Sequence, residues 1–264
     1  MAYEKQNFLD GQIITADHLN HIENGIIAAQ NPRNLLDNSD FRNPVNQRGA
    51  SSYTGNVYTI DRWALWWDGT TNGKLTINDD GITVTQWLFQ NLENVDPDKE
   101  YTFAVSTANG LHVVSGKPSE SATDGVISIV VNGYVQVNVH NGGKLYWAAL
   151  YEGVYTADTL PPYVPKGYGA ELTECQRYYQ KYNTVGLTCR NNGYATALLP
   201  VVMRVTPTIS VGTRLLFTSS YTDVAADYPS VNLQADPNLI YFTNNFYTGF
   251  ATLTCSNVQL SADL

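Results

Sequence analysis

The chain has 264 residues, a formal net charge of −9, 43% hydrophobic residues and only 15% charged ones. An acidic chain with no Lys/Arg cluster is poorly suited to nucleic acid or to an anionic membrane, because phosphate groups are held by concentrated positive charge. Its surface must be largely neutral polar, and 12% aromatics with 18 tyrosines suits β-sandwiches and barrels better than helical bundles.

The N-terminus lacks a positive segment followed by an apolar run, and no apolar run approaches the ~20 residues of a membrane span. The expectation is a soluble protein made in a cytoplasm, with no membrane insertion. Cys175, Cys189 and Cys255 are odd in number and fit no metal spacing, so they are expected to be free, buried thiols.

Residues 1–33 contain "ITADHLNHIENGI", residues 14–26, which reads as a short helix. Thr15 is a good N-cap, and Ile14 and Leu19 stand at the positions of a hydrophobic staple. Leu19, Ile22 and Ile26 form a narrow apolar seam. A helix this short is marginal alone. It must pack on the chain's own next domain or on copies of itself, and the two-in-seven stripe favours copies.

Residues 34–165 alternate as strands do. "YTIDRWALWW" puts Trp63, Leu65 and Trp67 on one face and Arg62, Ala64 and Trp66 on the other. "GITVTQWLFQ", "EYTFAVST", "GVISIVV", "YVQVNVH" and "KLYWAALYEG" read as further strands. They are separated by Asp79-Asp80-Gly81, Asp96-Pro97-Asp98, Asp124-Gly125, Asn132-Gly133 and Asn141-Gly142-Gly143. The pattern predicts a β-sandwich, a jelly roll, with "TLPPYVPKGYG" as a stiff exit. Residues 166–264 predict a smaller β domain opened by the helix "ELTECQRYYQKY", with Leu172, Cys175, Tyr179 and Tyr182 at helical spacing. The fold class is therefore mainly β, with two short helices.

No catalytic constellation is visible. There is no G-x-S-x-G, H-E-x-x-H or phosphate loop. His18 and His21 share a helix face, but no carboxylate joins them, so no metal ligand is assigned. Asp61, Asp68, Glu93 and Glu100 are available for a glycosidase pair, as any acids would be in a chain with 24. Aromatics are more informative, because sugars stack on rings while amides read hydroxyls. Trp63, Trp67 and Trp147 alternate with apolar neighbours and are assigned to the core. Trp66 and Trp87 are candidate binding rings. Tyr221, Tyr228 and Tyr247 lie in polar loops, where they would meet a glycan or pack between subunits.

"NLLDNSDFRNPVNQRG" followed by "YTIDRW" resembles the start of the carbohydrate-binding-like jelly roll of bacteriophage and prophage tail fibre proteins. "KLYWAALYEG", "PPYVPKGYGAELTECQRYYQKY", "LPVVMRVTPTIS" and "VQLSADL" are similar to the rest of that family in the same order. "FLDGQIITADHLNHIENGI" resembles the attachment segment of tail and baseplate proteins of phages infecting Gram-positive bacteria. The resemblance implies a non-enzymatic, trimeric virion protein without a cofactor. It would join other tail proteins through its N-terminus and recognise host-surface glycans. Residues 166–264 would be the tip that meets the host first through Tyr221, Tyr228 and Tyr247, with Trp66 and Trp87 of the jelly roll as the fallback site. Some such jelly rolls hold calcium near the first strand. Asn38 and Asp40 occupy the matching stretch, but "LYWAALYEG" lacks the partner acid. The rival readings are an architectural tail component that binds no sugar and a tail enzyme that cleaves polysaccharide.

Overall fold

The computed structural model describes residues 11–22, 32–66, 73–93, 95–118, 122–130, 133–190, 194–218, 233–243 and 250–263. The chain is mainly β, with several antiparallel sheets consistent with a β-sandwich. It divides into two compact units. The first comprises Met1–Pro44, Ala50–Thr59 and Trp63–Gly167, and the second Val45–Gly49, Ile60–Arg62 and Tyr168–Leu264.

In the first unit, residues 16–22 form helix α1. Thr15 Oγ1 accepts a hydrogen bond from His18 N at 3.3 Å, and His18 Nδ1 accepts one from Thr15 N at 3.2 Å. This reciprocal cap satisfies helix donors that have no partner within the helix. Leu19 is exposed and Ile22 half-buried, while Ile26 lies outside the described residues.

The strands of this unit are β1 Ser52–Thr54, β2 Ala64–Trp66, β3 Lys74–Asn78, β4 Gly81–Asn91, β5 Tyr101–Thr107, β6 Gly110–Gly116, β7 Ala122–Thr123, β8 Ile127–Val130 and β9 Tyr134–Glu152. They make one hydrogen-bonded sheet in the order β1-β3-β4-β9-β5-β6, with β2 also on β4 and β7-β8 also on β9. Period-two alternation explains β4. Ile82, Val84 and Leu88 point into the core, while Thr83, Thr85, Trp87 and Phe89 point out. At the β3–β4 turn Gly81 has φ 156°, and a Cβ there would sit 2.5 Å from the Leu145 carbonyl oxygen, so only glycine fits.

Residues 141–143 were expected to be a turn between two strands. Instead β9 runs through them as one strand of 19 residues. The register between β4 and β9 shifts here, with Val84↔Gly143 followed by Gln86↔Val139. His140, Asn141 and Gly142 thus face the single Thr85, and Gln86 takes φ 67°. The turn-like sequence becomes a bulge because partners on both sides keep the strand paired.

The segment 34–41 lies against the second half of β9, held by side chains as well as backbone. Leu35 N and Phe41 N donate to the carbonyls of Leu150 and Tyr146. The Asn34 amide accepts from Leu36 N and Leu150 N and donates to Ser39 Oγ and the Ala148 carbonyl. Gln90 Oε1 accepts from Asp37 N while its Nε2 donates to the Asp37 carbonyl, which reproduces a strand's double bond with a side chain. Trp63 Nε1 donates to the Asn38 carbonyl.

Strand β2 is shorter than predicted. Asp61 and Arg62 form a turn, Arg62 at φ 73°, and only Ala64–Trp66 pair with β4. Trp63 is fully buried as predicted, and Trp67 lies outside the described residues. Trp147 was placed in the core but is only half-buried, covered by Tyr163 with ring centroids 4.7 Å apart and planes within 6°.

The second unit contains helix α2 Tyr168–Gln176 and strands β10 Tyr179–Arg190, β11 Tyr194–Leu198, β12 Thr208–Ser210, β13 Arg214–Thr218, β14 Gln234–Asp236, β15 Leu239–Thr243 and β16 Phe250–Ser261. One sheet has β10 on one side of β16 and β12 and β13 on the other, and a second has the order β11-β15-β14. Tyr179 and Tyr182, predicted on the helix, lie on β10. The helix closes with Tyr178 N bonded to the Cys175 carbonyl, and Tyr179 then pairs with Ser261. Aromatic residues favour a pleated surface, and long-range pairing overrode the local spacing.

Along β10 and β16 the ladder is continuous from Tyr179↔Ser261 to Arg190↔Phe250 except at Asn183 and Asn257. Asn257 has φ 48°, a conformation asparagine tolerates better than most residues. The buried face changes phase there: Leu253 and Cys255 precede it, Val258 and Leu260 follow. These residues join Val185, Leu187, Cys189, Ile240 and Phe242 in one core. Cys175, Cys189 and Cys255 are buried, and none of them forms a disulfide.

A buried ionic knot ties together the three chain segments of this unit. Arg48 donates from Nη1 to Asp61 Oδ1 at 2.8 Å and from Nη2 to Asp263 Oδ2 at 2.6 Å. Its guanidinium lies 3.9 Å from the Tyr179 ring centroid. Gln47 Nε2 bridges Asp61 Oδ2 and the Tyr179 carbonyl, and Lys181 Nζ donates to the Arg48 carbonyl. Arg62 stacks 3.5 Å over Tyr178. Burial pushes the Asp61 carboxyl up to about 6 against the pull of Arg48, and burial likewise raises Asp263.

Two outcomes follow from these contacts. Asn34→Ala leaves the buried donors Leu36 N and Leu150 N without their acceptor. At about 1–3 kcal/mol for each unsatisfied group, urea unfolding should show a loss of about 3 kcal/mol. The second concerns pH. An acid raised above its unfolded value near 4 holds its proton more tightly when folded. Its stabilising contribution is present below that value and is lost as pH climbs through the folded value of about 6. Asp61→Asn removes this titration. The unfolding free energy of the wild type relative to that variant should therefore fall between about pH 4 and about pH 7 and then level.

Candidate functional site

The two tryptophans singled out from sequence are neighbours. Trp66 on β2 pairs directly with Trp87 on β4, and Trp87 pairs on its other side with Asn138 on β9. Directly paired residues point to the same face of a sheet. In the adjacent row Ala64, Phe89, Gln136 and Ser128 lie across β2, β4, β9 and β8. In the next row Asn91, Tyr134 and Val130 lie across β4, β9 and β8.

Trp66 is 52% exposed, and Trp87, Phe89, Tyr134, Gln136 and Asn138 are half-buried, so rings and amides share the outward face. Phe89 connects the rings. Its centroid is 5.9 Å from that of Trp66 and 6.0 Å from that of Tyr134, both edge-to-face at 67°. Such contacts hold rings in fixed orientations without covering all their faces. The β4–β9 bulge lies immediately before Trp87↔Asn138. Bulges re-aim side chains, and this one sets where the tryptophan row ends.

Phe89 and Tyr134 were not picked out from the sequence. Phe89 sits two residues beyond Trp87 in an alternating strand, and that spacing was the available signal. Tyr134 follows the Asn132-Gly133 turn, and its place beside Asn91 depends on register, which sequence alone does not fix.

Tyr221, Tyr228 and Tyr247 lie outside the described residues, as does Asp68. Asp61 is enclosed in the Arg48 knot, not set across a cleft. Asp40 is ion-paired with Arg42 at 2.7 Å, and the Asn38 carbonyl is taken by Trp63. Among the described residues, no helix is long and apolar enough to cross a membrane. Comparison with described protein families, with curated proteins and with solved structures finds no match for this chain.

The two tryptophan environments, one exposed and one buried, predict different costs. Trp66→Ala should change the unfolding free energy by less than about 1 kcal/mol, as surface substitutions do. Trp63→Ala should cost about 3–5 kcal/mol by opening a cavity. Urea unfolding followed by far-UV circular dichroism measures both.

Proposed function

We propose that this protein is a receptor-binding structural component of a bacteriophage tail, a homotrimer that holds host-surface glycans on the aromatic face of its first unit. It would join other tail or baseplate proteins through its N-terminal segment. It would act in the virion after synthesis in the bacterial cytoplasm. The observation that carries the glycan reading is the outward row of Trp66, Trp87, Phe89 and Tyr134, interleaved with Gln136, Asn138 and Asn91. Ring faces match the C–H faces of a pyranose, and amides supply both donors and acceptors to its hydroxyls.

The trimer reading draws on the exposed apolar residues at the N-terminus. Ile13, Ile14 and Leu19 are 81%, 56% and 54% exposed, on and beside a helix too short to be stable alone. Packing between copies would remove these side chains from water. The tail assignment itself rests on the sequence resemblance.

The test uses the full-length chain. Wild type should bind host cells and their surface polysaccharide, and light scattering should give a trimeric mass. Trp66→Ala combined with Trp87→Ala should keep the trimer and lose on the order of tenfold or more in affinity, since aromatic contacts contribute about 0.5–1.5 kcal/mol each. A monomeric mass sinks the assembly reading. Undiminished binding by the double variant sinks the site. Leu19→Asp together with Ile22→Asp should weaken assembly, because a charge placed in an apolar seam loses its water.

A further inference from the structure

We infer that the aromatic face selects an uncharged polysaccharide, gripped by stacking and neutral hydrogen bonds, over the polyanionic polymers of a cell surface. This inference rests on the glycan reading above and specifies its ligand.

The three rows across β2, β4, β9 and β8 are Trp66–Trp87–Asn138, Ala64–Phe89–Gln136–Ser128 and Asn91–Tyr134–Val130. None of these residues carries a charge at neutral pH; the next row, Lys74–Thr85, adds one exposed lysine, a single point charge and not a fork or cluster. Recognition of phosphate or carboxylate along a polymer uses Arg or Lys forks or clusters. No such fork stands among the cross-strand partners of the rings. The chain as a whole carries −9, which repels polyanions at long range.

What the face offers is also specific. Asn138, Gln136 and Asn91 each directly face a ring residue across the ladder: Trp87, Phe89 and Tyr134 respectively. Gln136 and Asn91 thus give Phe89 and Tyr134 amide neighbours that can read a hydroxyl, while beside Trp87 the Asn138 Oδ1 is buried, leaving that amide only its Nδ2 for a ligand. Strands lie about 4.8 Å apart, so the distance from β2 across β4 to β9 is about 10 Å, enough for more than one sugar ring. The ligand that fits is a chain of neutral hexoses or N-acetylated hexoses laid across the strands. Because no ion pair contributes, binding should be nearly independent of ionic strength. Binding through phosphate contacts, in contrast, weakens steeply with salt.

The experiment is affinity gel electrophoresis of the full-length protein in gels containing one polymer each. The polymers are a neutral glucan, a neutral galactan, chitosan fully re-acetylated to a soluble oligomer, polyglycerol phosphate and polygalacturonate, each at low and at high salt. The expected result is retardation by at least one neutral polymer, equal at both salt levels. Trp66→Ala should weaken it roughly fivefold to tenfold, and Trp66→Phe should restore most of it.

Retardation only by a polyanion, abolished by salt, overturns the inference and leaves glycan binding standing. Absence of retardation by every polymer overturns both. A change of assembly mass in Trp66→Ala also overturns the inference, because it makes the face a contact between copies of the chain.

Discussion

The first unit depends on keeping every hydrogen bond of one very long strand satisfied. β9 runs for 19 residues, and no single partner matches its whole length. Its first part lies between β4 and β8, and its second part is shared by β4, β5 and the irregular segment 34–41. The partners change over at the bulge. A buried backbone amide without a partner is costly, so side chains fill in where strands stop. The Asn34 amide and the Gln90 amide both act as substitutes for backbone groups. The surface that presents Trp66 and Trp87 is the outer side of the same arrangement, and its register is a consequence of how β9 is kept paired.

Much of this was legible in the residues and some was not. The mainly β class, the buried Trp63, the N-cap at Thr15 and the antiparallel pairing of β8 with β9 all come from local rules of patterning and turn chemistry. The outward placement of Trp66 and Trp87 comes from simple alternation. What failed were features decided by distant partners. Asn141-Gly142-Gly143 has the composition of a turn, yet it is held inside a strand by β4 and the rest of β9. Tyr179 and Tyr182 have helical spacing from Leu172 and Cys175, yet pairing with β16 takes them. The turn between β5 and β6 is Ala108-Asn109, closed by the pair Thr107↔Gly110, so the Asn-Gly dipeptide straddles the turn and the strand. The candidate site shows the same division. Trp66, Trp87 and, by its spacing from Trp87, Phe89 can be placed on one face from sequence, whereas Tyr134 joins them only once register is known.

The aromatic row also carries its own support. Phe89 is in edge-to-face contact on both sides, with Trp66 and Tyr134, so the outermost ring is held by a neighbour and not only by its own backbone. A pre-set ring loses little freedom when a ligand arrives, which matters where each contact contributes only about 1 kcal/mol. Weak individual sites of this kind gain most from repetition on a multimer.

The Arg48 knot bears on the order in which the protein can form. Arg48 and Asp263 are 215 residues apart in the chain, and Asp61 lies with Arg48 near its beginning. On the ribosome, where chains grow at about 5–20 residues per second, N-terminal domains usually fold first. Here the early residues Arg48, Asp61 and Arg62 belong to a unit whose strands do not yet exist when they emerge. A charged arginine and a carboxylate must therefore wait in water until β16 and Asp263 have been synthesised. The second unit therefore closes only after β16 and Asp263 have left the ribosome, long after Arg48 and Asp61.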